Sequence, residues 1–503
     1  MSDAYLQQIC RSLVDIFPDL VLPSALTGRV RLDSRQVEVG DLFIALQGSQ
    51  LDGRRFIDSA IKQGAGLVLV ESEKNAFSYR DASSTEIPIV ELADLRALLG
   101  SWLFIAGGIN PDVFNLIGIT GTNGKTSVSH YIAQLLTQLK QQTAVIGTVG
   151  IGALDDLHAA THTTPDIVSL HRTLADLYQQ GFTYQAMEVS SHALDQQRTA
   201  GAPFKAAVFT NLSRDHLDYH GSMEAYGEAK LSLFTSDNLA LSIVNLDDDF
   251  SNQILSSQTA QQCFTYSLSN PKADLYCHQI QAVSNGFQLE LNGRWGKRML
   301  VLPLLGDFNI ANILAALLTL LGLGFDFDQL LKIAESICSV PGRMQLVSSI
   351  DTPLVIVDYA HTPDALKNAL QAIQQHIKGK LWCVFGCGGD RDIGKRPLMA
   401  EVAERLSDNV VITSDNPRSE VPELIIEQVC QGLSNKQARV EVDRQQAILQ
   451  TVLQAGAEDV VLVAGKGHET YQEISGVRYS FDDVEQARLA QDAYINSLGV
   501  SDD

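Results

Sequence analysis

Short apolar runs recur along this chain. Each closes on polar residues and is followed by a stretch whose apolar positions return at helical spacing. In the middle of the chain the runs are Val113–Ile119, Thr143–Val149, Tyr184–Val189, Ala206–Thr210 and Ala240–Asn245. Uninterrupted apolar strands alternating with helices predict a parallel sheet covered on both faces. Cys263–Leu302, rich in β-branched and alternating residues, predicts an antiparallel addition, and an alanine-rich helix over Asn309–Leu321 closes the block. The pattern restarts near Val340-Pro-Gly-Arg343 with Leu354–Asp358, Leu381–Phe385, Val410–Ser414, Val440–Asp443 and Val460–Ala464, a second doubly wound sheet. Ahead of both, strands at Asp41–Leu46, Gly66–Glu71 and Ile87–Leu92 and a helix over Ile57–Gln63 form a smaller block, and Gly107-Gly-Ile-Asn-Pro111 reads as a linker. The fold class is α/β in three domains: a small N-terminal domain over 1–106, a central parallel-sheet domain over 107–340, and a C-terminal doubly wound, Rossmann-like domain over 341–503.

A length of 503 residues fits three domains, and 45% hydrophobic against 19% charged residues gives ample core. The net charge of −22 argues against nonspecific attraction to nucleic acid or to anionic membranes. An anionic ligand must be held by local Arg, Lys and helix N-termini against the overall field. No apolar run reaches the length of a membrane span, and Met1-Ser-Asp-Ala lacks the basic and apolar parts of a secretion signal. Seven scattered cysteines form no disulfide framework, and Cys383 and Cys387 lack the second pair a zinc spacing needs. These features predict a cytoplasmic protein with no nucleic-acid partner and no membrane insertion, expected to act as a monomer.

The most informative segment is Gly118-Ile-Thr-Gly-Thr-Asn-Gly-Lys-Thr-Ser127, fed by an apolar strand and followed by a helical pattern from Thr126 to about Leu139. Strand, glycine-rich turn, lysine and hydroxyl at a helix start is the layout that wraps backbone N–H groups around phosphates. The strict spacing is not met, since Ile119 stands five before Gly124. The Lys125-Thr126 pair, which a plain turn would not need, makes this a nucleoside triphosphate site. In sheets of this kind ligands gather beyond the carboxyl ends of the strands. Glu188 ends one strand, either as a solvated terminus or as a Mg²⁺ ligand. His216 and His220, in Asp215-His-Leu-Asp-Tyr-His220, allow a zinc reading, although their oxygen-rich surroundings favour Mg²⁺. Lys230, taken alone, reads as an exposed lysine. In the third block Gly386-Cys-Gly-Gly-Asp-Arg-Asp392, Asp415-Asn-Pro-Arg418 and Gly465-Lys-Gly-His-Glu469 each follow a strand. Any one could be only a loop, but three at equivalent ends of one sheet predict a binding site.

The phosphate loop, Met187-Glu-Val-Ser-Ser-His192, Thr210-Asn-Leu-Ser-Arg-Asp-His216, Gly306-Asp-Phe-Asn-Ile-Ala-Asn312, Asp358-Tyr-Ala-His361 and Gly465–Glu469, in this order, resemble the Mur ligases over essentially the whole chain. Leu32-Asp-Ser-Arg35, Asp52-Gly-Arg-Arg55 and Asp415–Arg418 resemble the members that handle diaminopimelate. The resemblance implies a P-loop-type ATPase centre and an ATP-dependent amide ligase. Through an acyl phosphate it would join meso-diaminopimelate to the D-glutamate γ-carboxylate of UDP-N-acetylmuramoyl-L-alanyl-D-glutamate, in peptidoglycan precursor synthesis. It implies ATP contacts at Gly121, Thr122, Asn123, Gly124, Lys125, Thr126 and Ser127, with Asn309 and Asp358 near the adenosine. Ser127 stands where the family often has a second threonine, which keeps the hydroxyl. Two Mg²⁺ ions are implied, with Thr126, Glu188, His216 and Lys230 as ligands, Lys230 being carried as N6-carboxylysine. The implied catalytic residues are Lys125, Lys230 and His216. The implied contacts to the UDP-linked substrate are Leu32, Ser34, Ser49, Gln50 and Leu51, then His162, Thr163, Thr164, Ser190, Gln196 and Arg198. Those to diaminopimelate are Arg391, Asp415, Asn416, Pro417, Arg418, Gly465 and Glu469. Rival readings are the same ligation with L-lysine or onto folate, and a nucleotide-dependent switch that hydrolyses ATP without forming an amide.

Overall fold

In a computed structural model, described over residues 3–499 except 25, 49–50, 83–84, 161, 237, 284–285, 348–350 and 435–437, the chain divides into two compact units. One comprises Met1–Tyr266 with Ala315–Phe325, and the other Ser267–Leu314 with Asp326–Asp503. Ser49 and Gln50 therefore lie outside the described residues.

The first unit holds two sheets. The N-terminal one runs Val30–Arg31, Leu42–Ala45, Leu67–Glu71, Thr85–Leu92, Ala76–Ala82, parallel except for the last strand. In the larger sheet the parallel strands stand in the order Gln262–Ser267, Leu241–Asn245, Phe204–Phe209, Asn115–Thr120, Tyr184–Glu188, Thr143–Ile146. Asn115–Thr120 lies between Phe204–Phe209 and Tyr184–Glu188, so their carboxyl ends surround the loop that follows it. Two predictions need correcting. The central strand starts at Asn115 because Val113 stays half in solvent. Gln262–Ser267 pairs in parallel and extends the sheet, and only the later strands of the Cys263–Leu302 stretch are antiparallel. Gly118 lies within the strand, where a Cβ would press on the Phe204 ring, so it serves packing and the turn itself begins at Gly121.

The helix Ile167–Gln179 buries His171, whose Nε2 lies 2.8 Å from Ala200 O. Burial pushes this imidazole down to about 4. The unfolded chain, titrating near 6.5, binds the proton first, so stability is lost as pH falls from about 6.5 to about 4, by about 2 kcal/mol at pH 5. The melting temperature should therefore drop between pH 7 and 5, and less steeply in His171→Gln. Equal slopes in the two proteins would remove His171 from the account.

In the second unit the sheet order is Gln345–Val347, Leu354–Asp358, Val460–Ala464, Leu381–Phe385, Asn409–Ile412, Arg439–Val440, parallel but for the first strand. Its interior strands are almost wholly apolar and buried, as coverage by helices on both faces requires. The predicted Val440–Asp443 strand is only Arg439–Val440, because Asp443 instead caps the helix Arg444–Gln454. The strands Leu275–Val283, Gly286–Gly293 and Arg298–Leu302 pair as an antiparallel meander. Cys383 and Cys387 are buried free thiols, each pushed up to about 12 by burial.

Candidate active site

The loop after Asn115–Thr120 is shaped by its glycines. Gly121 has φ +151° and a Cβ there would overlap Thr210 Oγ1, while Gly124 at φ +86° opens the helix Lys125–Gln138. The neighbouring strand exit holds the loop: Thr122 N donates to Asn211 O (2.8 Å), Asn123 N to Asn211 Oδ1 (3.0 Å), and Thr210 Oγ1 to Asn123 O (2.6 Å). Gly124 offers no side-chain cap, so the first helical N–H groups are available to an anion. Lys125 Nζ arches over the loop onto the carbonyls of Gly121 (2.7 Å) and Thr122 (2.8 Å). Thr126 and Ser127 are buried in the first turn.

Glu188 is not a solvated strand end but 1% exposed. Its Oε2 accepts from Thr126 Oγ1 (2.9 Å) and Thr148 Oγ1 (3.2 Å), and its Oε1 from Thr148 N (2.8 Å). Gly147 makes the room, since a Cβ there would overlap the carboxylate. Lys230, on the helix Met223–Leu231, is likewise buried, 4.3 Å from the Tyr226 ring centroid, which corrects the exposed-lysine reading. Burial, with the charge of Lys125 adding, pushes its amine down to about 6, while Asp215 opposes. It is therefore mostly a neutral amine at pH 7. Tyr226 OH contacts Thr122 Oγ1 at 3.1 Å, tying this helix to the loop.

Beside them His192, His216, His220, Tyr219 and Tyr226 form a ring cluster, with His192 4.8 Å from His216 and 5.4 Å from His220. His220 Nε2 contacts Ser191 Oγ at 2.9 Å. No three His, Cys, Asp or Glu side chains converge on a metal position among the described residues, so the zinc reading finds no protein ligand set. Mg²⁺ is different, because phosphate and water supply much of its shell.

Thr163 Oγ1 contacts Thr148 Oγ1 (3.1 Å), and Thr164 Oγ1 bridges Glu188 O (2.8 Å) and Ser190 N (3.0 Å). Ser190 caps the short helix Ser191–Asp195. Arg198 holds Gln196 Oε1 (2.6 and 2.9 Å) and Thr164 O (3.1 Å), so Thr163, Thr164, Ser190, Gln196 and Arg198 share one network with Glu188, while His162 is exposed. Sequence reasoning missed Arg96. Its guanidinium joins Glu71, Gln47 O (2.6 Å) and Gln196 O (2.6 Å), linking the N-terminal sheet to that network. One arginine inside a helical pattern carried no local signal. Ser34 is buried in the turn Ser34–Gln36, Leu32 is half-buried and Leu51 is exposed.

In the second unit Asn309 is buried on Leu305 O (2.9 Å), and Asp358 accepts from Met344 N (2.7 Å), its carboxyl pushed up by burial. The three strand-exit loops meet here. A Cβ at Gly389 would overlap Pro417 O and one at Gly465 would overlap Asp415 Oδ2, so both glycines permit close approach of the Asp415–Arg418 loop. Arg418, at φ +52°, donates to Gly389 O (2.7 Å). Arg391 is exposed, Asp415 and Asn416 are buried, and Asn416 Nδ2 donates to Glu469 Oε2 (2.7 Å). Carboxylates and guanidinium groups carried on the same set of loops suit a ligand bearing both an ammonium and a carboxylate.

Comparison with known proteins adds independent findings. Residues 119–320 match the Mur ligase middle domain, 342–467 the Mur ligase glutamate ligase domain, and 28–100 the catalytic domain of the Mur ligase family. The chain is 47% identical over 480 residues to the UDP-N-acetylmuramoyl-L-alanyl-D-glutamate--2,6-diaminopimelate ligase of Ectopseudomonas mendocina (strain ymp), covering 94% of this chain and 98% of the other. A protein of that name from Pseudomonas aeruginosa PAO1 is 45% identical over 487 residues, 96% of this chain and 98% of the other. A solved structure of a ligase so named, 40% identical, aligns with TM-score 0.71 over 95% of this chain and 98% of that one.

Proposed function

The chain belongs to the Mur ligase family, and from that premise we propose that it is an ATP-dependent ligase of peptidoglycan precursor synthesis. It joins meso-2,6-diaminopimelate to UDP-N-acetylmuramoyl-L-alanyl-D-glutamate. The observation that carries the reading is the buried Thr126–Glu188 pair set against a phosphate loop, with a neutral lysine close by. The D-glutamate γ-carboxylate attacks the γ-phosphorus of ATP, ADP leaves, and the resulting acyl phosphate is opened by the diaminopimelate amine with release of phosphate. The Lys125 side chain and the N–H groups of the first helical turn, Lys125 to Ser127, offset charge on the transferring phosphoryl group. Asn309 and Asp358 are assigned to the adenosine.

The donor set fits Mg²⁺: Glu188 and Thr126 present hard oxygens 2.9 Å apart beside the loop. Bound there, Mg²⁺ would offset phosphate charge. Lys230 as a neutral amine adds to CO₂, losing a proton and becoming N6-carboxylysine, an anion that with His216 would hold a second Mg²⁺. A protonated lysine in the same place would repel the ion. Leu32, Ser34, Ser49, Gln50 and Leu51 are assigned to the uridine end of the substrate, and His162, Thr163, Thr164, Ser190, Gln196 and Arg198 to the rest. By domain, 1–106 takes the UDP end, 107–340 ATP and 341–503 the amino acid. We assign the reaction to the cytoplasm, which supplies ATP, and the active form to a single chain.

Arg391 and Arg418 are assigned to the diaminopimelate carboxylates, and Asp415 or Glu469 to the ammonium, together with Asn416, Pro417 and Gly465. Without a distal carboxylate, L-lysine leaves Arg418 unmatched. Arg418→Met is expected to lower kcat/KM for meso-diaminopimelate about a hundredfold, and for L-lysine much less, as when one partner of a charge pair is removed. Phosphate release across a panel of amino acids, with mass spectrometry of the new amide, tests both reading and variant. Equal use of lysine and meso-diaminopimelate, or ADP without an amide, would overturn the assignment.

A further inference from the structure

The loop after Val460–Ala464 carries a lysine to which nothing above gives a role. Lys466 is wholly buried, which is costly for an ammonium unless it is paired and hydrogen-bonded. Its Nζ donates to Asn416 Oδ1 at 3.0 Å and lies 3.4 Å from Glu469 Oε2. Asn416 Oδ1 also accepts from Glu473 N at 2.9 Å, so the amide oxygen is held from two sides. The Asn416 amide nitrogen is thereby turned toward Glu469, donating to Oε2 at 2.7 Å. Both interactions fall on one carboxylate oxygen. The other, Oε1, accepts no hydrogen bond among the described residues, and the Glu469 side chain keeps 18% of its surface.

The charges around this lysine are informative. Asp415, Glu469, Asp483 and Arg444 all act on it. Arg444 is matched by Asp483 in a wholly buried two-bond pair, at 2.7 and 2.8 Å. Arg444 also donates to Ala464 O (3.0 Å) and Ser414 O (3.4 Å), the carbonyls just before Gly465 and Asp415, which pins both strand exits. Asp415 and Glu469 are then left to share the single ammonium of Lys466. Among these five groups the formal charges sum to one negative, the complement of one ligand ammonium.

We propose that Lys466 is a positioning residue for the amino-acid substrate: it locks the Asn416 amide and Glu469 Oε2, so that Glu469 Oε1 and the one unmatched charge face the ammonium of the incoming diamino acid. This rests on the reading that the three loops take the amino acid.

The test is steady-state phosphate release by the full chain, with KM measured separately for ATP, the UDP-linked dipeptide and meso-diaminopimelate. Lys466→Met is expected to raise KM for meso-diaminopimelate about tenfold, the size of one lost charge-assisted hydrogen bond, with the other two KM values within about twofold. Lys466→Gln, which can still donate to Asn416 Oδ1, recovers part of the loss. In a Glu469→Gln background Lys466→Met adds less than about twofold, because the carboxylate it acts through is gone. Equal changes in all three KM values, full additivity with Glu469→Gln, or no change overturns the proposal. So does loss of the melting transition in both Lys466 variants, which would assign the residue to folding alone. A parent active only with another amino acid overturns the functional reading instead, and the same KM comparison with that amino acid then decides Lys466. A parent inactive with every amino acid overturns both.

Discussion

Lys230→Ala is expected to cut turnover by about a hundredfold to a thousandfold while the protein stays folded, the scale for removing one group that stabilises transferring charge. Lys230 is a wholly buried lysine against the Tyr226 ring, on a helix tied to the phosphate loop through Thr122. Its amine, pushed down to about 6 by burial and by Lys125, is neutral and nucleophilic at pH 7. Alanine cannot take up CO₂, and it leaves a cavity with the width of the missing side chain. A short carboxylic acid such as acetate or propionate should enter that space and restore part of the rate, because it returns an anionic oxygen pair to the same position. Unchanged rates in Lys230→Ala would remove the carbamate from the account. A lost rate that no carboxylic acid restores, in a variant with the parent's melting temperature, would do the same.

The second large effect is at Glu188. Gln keeps the size of the side chain and can place its carbonyl oxygen against Thr148 N, while the hydroxyls of Thr126 and Thr148 rotate to accept from its amide. The fold should therefore survive Glu188→Gln with little change in melting temperature. The charge does not survive, and with it goes the carboxylate suited to Mg²⁺. A fall in kcat of about a thousandfold is expected, within the range for loss of one electrostatic stabiliser, with the KM for diaminopimelate nearly constant. A variant within about tenfold of the parent would place the metal elsewhere.

Much of this was legible in the sequence where a single local pattern specifies the structure. The interior strands of both larger sheets are continuous apolar runs, so their existence and order along the chain could be read directly. The phosphate loop was recognisable because Gly121, Gly124 and Lys125 must sit next to one another to shape it. Lys230, taken alone, reads as exposed because lysines are rarely buried unpaired, and no local pattern shows that this one is out of water against the Tyr226 ring. Glu188 left two readings open, and its burial by Thr126, Thr148 and the space at Gly147 removes the solvated one. Arg96, Lys466 and Arg444 act by holding carbonyls or side chains far away in sequence, so no window around them announces a role. Lys466 sat inside a motif already singled out, yet its significance depends on Asn416, fifty positions earlier.

The central claim is that ATP energises a carboxyl group for attack by an amine, and isotope transfer tests it most directly. The UDP-linked dipeptide is prepared with ¹⁸O in the γ-carboxylate of its D-glutamate and turned over with ATP and meso-diaminopimelate. Because the carboxylate oxygen that attacks phosphorus departs with it, the account predicts one ¹⁸O in each released phosphate, one ADP and one new amide per turnover. Unlabelled phosphate, or ADP formed without the amide, would contradict it.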